Sequence, residues 1–189
     1  MFLRNLPIVL LVLCASHNLA SASDSKLPLS LSYNSPTGPE SRPLDLSGGL
    51  GFSLGYTGEV TRWLRMGAAA TWTSMSVHGV DNIAVDNVAL TVYQLVATAR
   101  FRAFRHGWSP YVDTEAGMSF VSLSARQDGV SRAIDGLDEV RALVGTRLGI
   151  EVPISERVSL DVAGRFSWTF IDEGFGIAAL HAGIVYELR

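Results

Sequence analysis

Apolar side chains recur two residues apart from Lys26 to the C-terminus. They fall in segments of roughly ten residues, separated by runs rich in Gly, Pro, Asn and Asp. A period of two marks a strand with one apolar and one polar face. Eight strands are predicted, over 27–33, 45–56, 63–77, 88–103, 110–123, 140–152, 158–170 and 176–188. The sixth is the clearest. Val140, Ala142, Val144, Thr146, Leu148, Ile150 and Val152 alternate with Arg141, Gly145, Arg147, Gly149 and Glu151, and Leu143 alone is apolar on the polar side. Pro110 opens the fifth strand, where its missing N–H is tolerated. Residues 93–104 and 138–147 contain good helix formers, so a helix is the competing reading there. The connections alternate long and short, and 124–139 is the longest predicted loop.

Every charge inside these strands lies on the polar parity: Arg65, Arg100, Arg102, Asp113, Glu115, Arg141, Arg147, Glu151, Asp161, Arg165 and Glu187. The opposite parity carries Leu, Val, Ala, Ile, Met and aromatics. One face of the sheet therefore meets a medium that rejects charge, and the other lies where charges can pair. Six arginines stand against five carboxylates on the polar face. That near balance suits a closed interior, because an unpaired buried charge is costly. The rest of the polar face is Gly, Ser, Thr and Ala, unlike the dense Lys and Glu of a water-facing sheet. The pattern predicts an all-β fold, an eight-stranded antiparallel up-and-down transmembrane β-barrel with its apolar side outward. A soluble lipocalin-like binding barrel, apolar inside, is the alternative.

Eight strands enclose a space that side chains can fill, so no open pore is expected. The eleven charged residues are expected to form a structural network within it. Hairpin geometry places Arg100 or Arg102 near Asp113 or Glu115, and Arg147 near Asp161. Tyr56, Phe101, Phe104, Trp108, Tyr111 and Tyr186 gather near the short connections; Trp72, Phe120, Trp168 and Phe170 lie toward the long ones. Two aromatic girdles at the membrane interfaces are the expected reading.

The N-terminal segment supplies the address. Arg4, the apolar run Leu6 to Ala15 and the small-x-small Ala20-Ser21-Ala22 predict a signal peptide over 1–22, leaving an outer-membrane barrel domain over 23–189. Short turns on the periplasmic side put both termini there. The single cysteine, Cys14, leaves with the signal, so no disulfide is expected, and bulky Leu13 before it argues against lipidation. The full chain carries −3; without Arg4 there are 14 basic and 18 acidic residues, or −4. No basic surplus points to nucleic acid. Lys26 is the one lysine; the other basic residues are arginines, whose planar forks suit interior pairing with carboxylates.

The chain resembles the small eight-stranded outer-membrane barrels, of the OmpA/OmpX type and the opacity-like surface proteins. The likeness is carried by the strand Tyr93–Phe104, by Trp108-Ser109-Pro110-Tyr111-Val112 leading into Ala116-Gly117-Met118, and by the last strand, His181 to Arg189. That last strand is similar to the alternating signal read by the barrel assembly machinery, although it ends Leu188-Arg189 rather than on an aromatic residue. The resemblance implies a bacterial outer-membrane location, with outer-membrane lipids and lipopolysaccharide as surroundings. A monomer is expected, with a structural, envelope-stability or surface-interaction role and a loop partner that the sequence does not name.

No catalytic constellation is read, and no cofactor or metal is expected. His78, His106 and His181 are not spaced as a metal pair, and His181 falls on the inner face. Some barrels resembling this one are lipid A deacylases, in which a His is followed two residues on by a Ser facing the lipid. Here Ala182 and Gly183 follow His181, so a lipid-modifying enzyme is the alternative rather than the reading. Asp113 and Glu115 are read as ion-pair partners of Arg100 and Arg102, not as a catalytic carboxylate pair. The long loops hold ten acidic residues against Arg42, Arg126 and Arg132, a solvated acidic rim open to weak divalent-cation binding.

Overall fold

The computed structural model describes residues 24–37, 46–77, 88–104, 107–127, 130–133, 139–170 and 175–188. Nine strands run through them: β1 (Ser25–Thr37), β2 (Leu46–Thr61), β3 (Leu64–Val77), β4 (Val88–Arg102), β5 (Ser109–Gln127), β6 (Val130–Ala133), β7 (Glu139–Pro153), β8 (Val158–Thr169) and β9 (Phe175–Leu188). Neighbours are antiparallel, in the order β4-β3-β2-β1-β9-β8-β7-β5, and β4 pairs with β5 to close the ring. Closure leaves the eight long strands without a free edge. The expected signal segment, the long-loop acids other than Glu139, His78 and His106 lie outside the described residues; Glu139 opens β7.

Both segments with good helix formers are strands, β4 and β7. In each, an apolar side chain on every second residue has a medium to face, and that outweighs local helix propensity. The predicted loop 124–139 needs correction. β5 continues to Gln127 and turns into β6, paired from Ser124↔Ala133 to Gln127↔Val130, on the edge that β7 leaves at Val121↔Glu139. The sequence of that hairpin is polar on both parities, so it carried no alternation to read.

The pleat sorts the side chains as the parity demands. Leu148, Leu50 and Leu180 are 60%, 70% and 70% exposed on the outer face, while Arg147 and Arg165 are 8% and 5% exposed inside. This is the reverse of a soluble lipocalin-like container, and it overturns that alternative. An Arg or Lys on the outer face would cost about 2–4 kcal/mol at the midplane of a bilayer.

The interior is divided along its length. Toward the long-loop end it is filled by Met75, Leu90, Val92, Leu143, Phe175 and Ile177, all buried. Toward the short-turn end it is filled by charges. The turns at that end are tied locally. Ser109 Oγ donates to the Phe104 carbonyl at 2.8 Å, and Ser155 Oγ accepts from the Val158 amide at 3.2 Å. Gly107, at φ 76°, takes the left-handed conformation open to a residue without a β-carbon.

Candidate functional site

The charged half of the lumen is the chemically distinctive part of the molecule. Arg100 on β4 faces Asp113 directly across the ladder on β5. Their forks engage with Nε to Oδ1 at 2.8 Å and Nη2 to Oδ2 at 2.9 Å, the bidentate geometry that makes an arginine–carboxylate pair strong. The remaining nitrogen, Nη1, reaches past β5 to Glu151 Oε2 on β7 at 3.3 Å. The other oxygen of Glu151 accepts from Lys26 Nζ on β1.

Tyr111 packs against the Arg100 guanidinium, whose carbon sits 3.7 Å from the ring centroid. The Tyr111 hydroxyl donates to Asp161 Oδ1 on β8 at 2.6 Å, and Arg147 Nη2 donates to Asp161 Oδ2. One connected network thus ties β1, β7, β4, β5 and β8. A second group joins Arg165 to Glu115 through Nε at 2.8 Å and to Gln94 Oε1 through Nη1 at 2.7 Å. A third gathers Arg102, which donates to Glu59, and Arg65, which lies 3.6 Å from the same carboxylate.

The ladder explains why the partners lie so far apart. Three of its rungs put like charges opposite each other: Arg65↔Arg100, Arg147↔Arg165 and Glu151↔Asp161. Like charges on one rung repel. Relief comes from the neighbour on the other side where that is opposite in charge, as Asp113 is for Arg100 and Glu59 for Arg65, and otherwise along diagonals and across the lumen. Lys26 reaches over β9 and β8 to β7, and Arg165 reaches over β7 and β5 to Gln94 on β4.

Of the eleven charged residues singled out above, Arg65, Arg100, Arg102, Asp113, Glu115, Arg147, Glu151, Asp161 and Arg165 take part in these contacts. Arg141 and Glu187 are half-buried on the same face at opposite ends of the barrel. Arg100 meets Asp113 and Arg147 meets Asp161, while Arg102 turns instead to Glu59. Sequence reasoning missed Lys26, Glu59, Gln94 and Tyr111 as members. Tyr111 is a correction: it is 4% exposed and stands inside rather than in a girdle. Its parity, two residues before Asp113, was the available signal. Lys26 and Glu59 share the inner parity of β1 and β2, and were passed over because the predicted strands stopped short of them.

The other aromatics of the short-turn group stay outside or half-buried. Phe104 and Trp108 meet edge to face with centroids 5.7 Å apart. His181 is buried in the lumen, its Nδ1 3.3 Å from Ser30 Oγ. It borders a cavity of about 30 Å³, and a hollow of about 160 Å³ opens at the short-turn mouth beside Lys26, Arg102 and Glu151. Among the described residues, no three His, Cys, Asp or Glu side chains are grouped so as to hold a metal ion.

Residues 6–187 match the family described as outer membrane protein beta-barrel domain. No curated protein sequence matches the chain. Solved structures share its fold. The Neisserial surface protein A structure has a TM-score of 0.62 at 13% identity, covering 87% of this chain and 97% of its own. The attachment invasion locus protein Ail of Yersinia pestis, in complex with the heparin analogue sucrose octasulfate, has a TM-score of 0.56 at 13% identity, covering 88% and 99%. The outer membrane protein OprG of Pseudomonas aeruginosa has a TM-score of 0.54 at 9% identity, covering 89% and 97%.

Proposed function

The chain belongs to the outer membrane protein β-barrel family and resides in the bacterial outer membrane, and we propose that within it the protein is a closed, non-conducting and non-enzymatic surface barrel. Its role is to brace the envelope and to present its long loops to the surroundings. The observation that carries this reading is the double filling of the lumen. Ion pairs linking non-neighbouring strands, Arg100–Glu151 and Arg165–Glu115 among them, occupy one half, and Met75, Leu90, Val92, Leu143 and Ile177 occupy the other. An ion moving along the axis would have to break buried charge pairs and then cross an apolar stretch, both unfavourable.

The position of His181 supports the non-enzymatic part. It faces Ser30 within the lumen rather than lipid, where a deacylase would meet its substrate. The acidic composition of the long loops favours a cationic partner, or one bridged by divalent cations, over a sulfated sugar such as Ail binds. Planar-bilayer recording on the purified protein tests the closed lumen. No unitary conductance is expected, and reproducible steps would overturn it. Incubation with lipid A and phospholipid tests the second part: release of fatty acid would mean that the barrel is an enzyme.

A further inference from the structure

The outer face is not uniformly bulky. On the row Leu148–Gly164–Leu180–Tyr33–Leu50, four residues are large and strongly exposed, and Gly164 has no side chain. A β-carbon built on Gly164 meets nothing within 4 Å, and its φ is not in the left-handed region, so neither backbone geometry nor a close neighbour requires glycine there. The gap opens into a trough of about 500 Å³ floored by Gly164 and Ala178 and walled by Tyr33, Leu148, Phe166 and Leu180. That volume lies inside the range of about 300–1,000 Å³ typical of small-molecule sites. The trough spans β7, β8, β9 and β1. Three strand spacings of about 4.8 Å make it about 14 Å across the wall of the barrel.

We infer that this trough is a resident site for one acyl chain of lipopolysaccharide. The concavity opens into hydrocarbon, where lipid chains are the surrounding medium, and a void would forfeit the dispersion contacts of its walls. The leaflet follows from depth. Tyr33, Gly164, Phe166, Ala178 and Leu180 all lie in the long-loop halves of their strands, with Leu148 near the middle of β7. The long loops of an outer-membrane barrel are external, and the outer leaflet there is lipopolysaccharide. This inference is independent of whether the lumen conducts.

The test is native mass spectrometry on protein extracted from outer membranes directly into mild detergent with no lipid added, so that the retained lipid reports the leaflet the trough faced. The wild type is expected to retain one lipopolysaccharide. Gly164→Leu, which fills the trough, loses it; Leu148→Ala, which removes a wall, loses it as well. Ala70→Leu, on β3 across the barrel, keeps it. Heat-modifiable gel migration checks that each variant is folded, and Leu148→Ala decides the matter if Gly164→Leu is not. Retention of phosphatidylethanolamine as strong as that of lipopolysaccharide would overturn the inference. So would no retained lipid on the wild type, or unchanged retention in the folded trough variants.

Discussion

Tyr111 stands directly across the ladder from Gly149, and each explains the other. A β-carbon on Gly149 would come within 2.5 Å of the Tyr111 hydroxyl oxygen and 2.6 Å of Cζ. The missing side chain is the space in which the ring lies flat beneath Arg100. Gly149→Ala should therefore cost about 1–3 kcal/mol through overpacking, measured by urea unfolding of the refolded barrel in bilayers. Tyr111→Leu in the same chain should return part of that loss.

Tyr111→Phe keeps the ring under Arg100 and removes only the bond to Asp161 Oδ1. The carboxylate stays buried beside Arg147 with one acceptor unfilled. A loss of about 1–3 kcal/mol is expected from the same unfolding measurement.

Arg100 and Asp113 should couple strongly. Asp113→Leu alone leaves a buried guanidinium with its fork empty and should cost about 3–5 kcal/mol. The double variant with Arg100→Met should lose less than the two single losses added together. Recovery stays incomplete, because Arg100 also serves Glu151 and Tyr111. A double-mutant cycle reads the coupling directly.

Arg65 provides the contrast. It is 3% exposed, lies opposite Arg100 on the ladder, and its Nε and Nη1 have no hydrogen-bond partner on the protein. Glu59 would keep Arg102 if Arg65 were gone. Arg65→Met should be neutral, or more stable by about 1 kcal/mol, as apolar replacement of a poorly paired buried ion allows. The same substitution at Arg100 should be clearly destabilising.

The outer face makes a prediction of opposite sign. Leu148→Arg places a charge in hydrocarbon near the middle of β7 and should cost about 2–4 kcal/mol in a bilayer-folding equilibrium. In heat-modifiable gel migration, the folded fraction should fall with it.

The fold was legible because the solvent reverses with every residue. Leu148 and Arg147 are adjacent in sequence and sit in opposite media, so parity alone places both. The network was only half legible for the same reason. Parity says that Arg102 and Asp113 face inward, but not that Arg102 passes over Asp113 for Glu59. That choice depends on register and on distances across the lumen, which no local pattern encodes. Tyr111 was misread because its residue type suggests an interface while its parity says interior; for a barrel strand, parity wins. β6 could not be read, since a hairpin beyond the hydrocarbon has no contrast between its faces.

The rungs that oppose like charges bear on how such a protein comes together. A lone β7–β8 hairpin would set Arg147 beside Arg165 and Glu151 beside Asp161, and an unfinished sheet would lack the strands that answer Glu151, Arg165 and Tyr111. Arg100–Asp113 and Arg147–Asp161 can form within their own hairpins, but Glu151 receives Lys26 only once the first strand has come round to the last, so the full set of pairs exists only in the completed cylinder. Closure thereby carries an electrostatic reward of its own, added to the backbone bonds of the final seam.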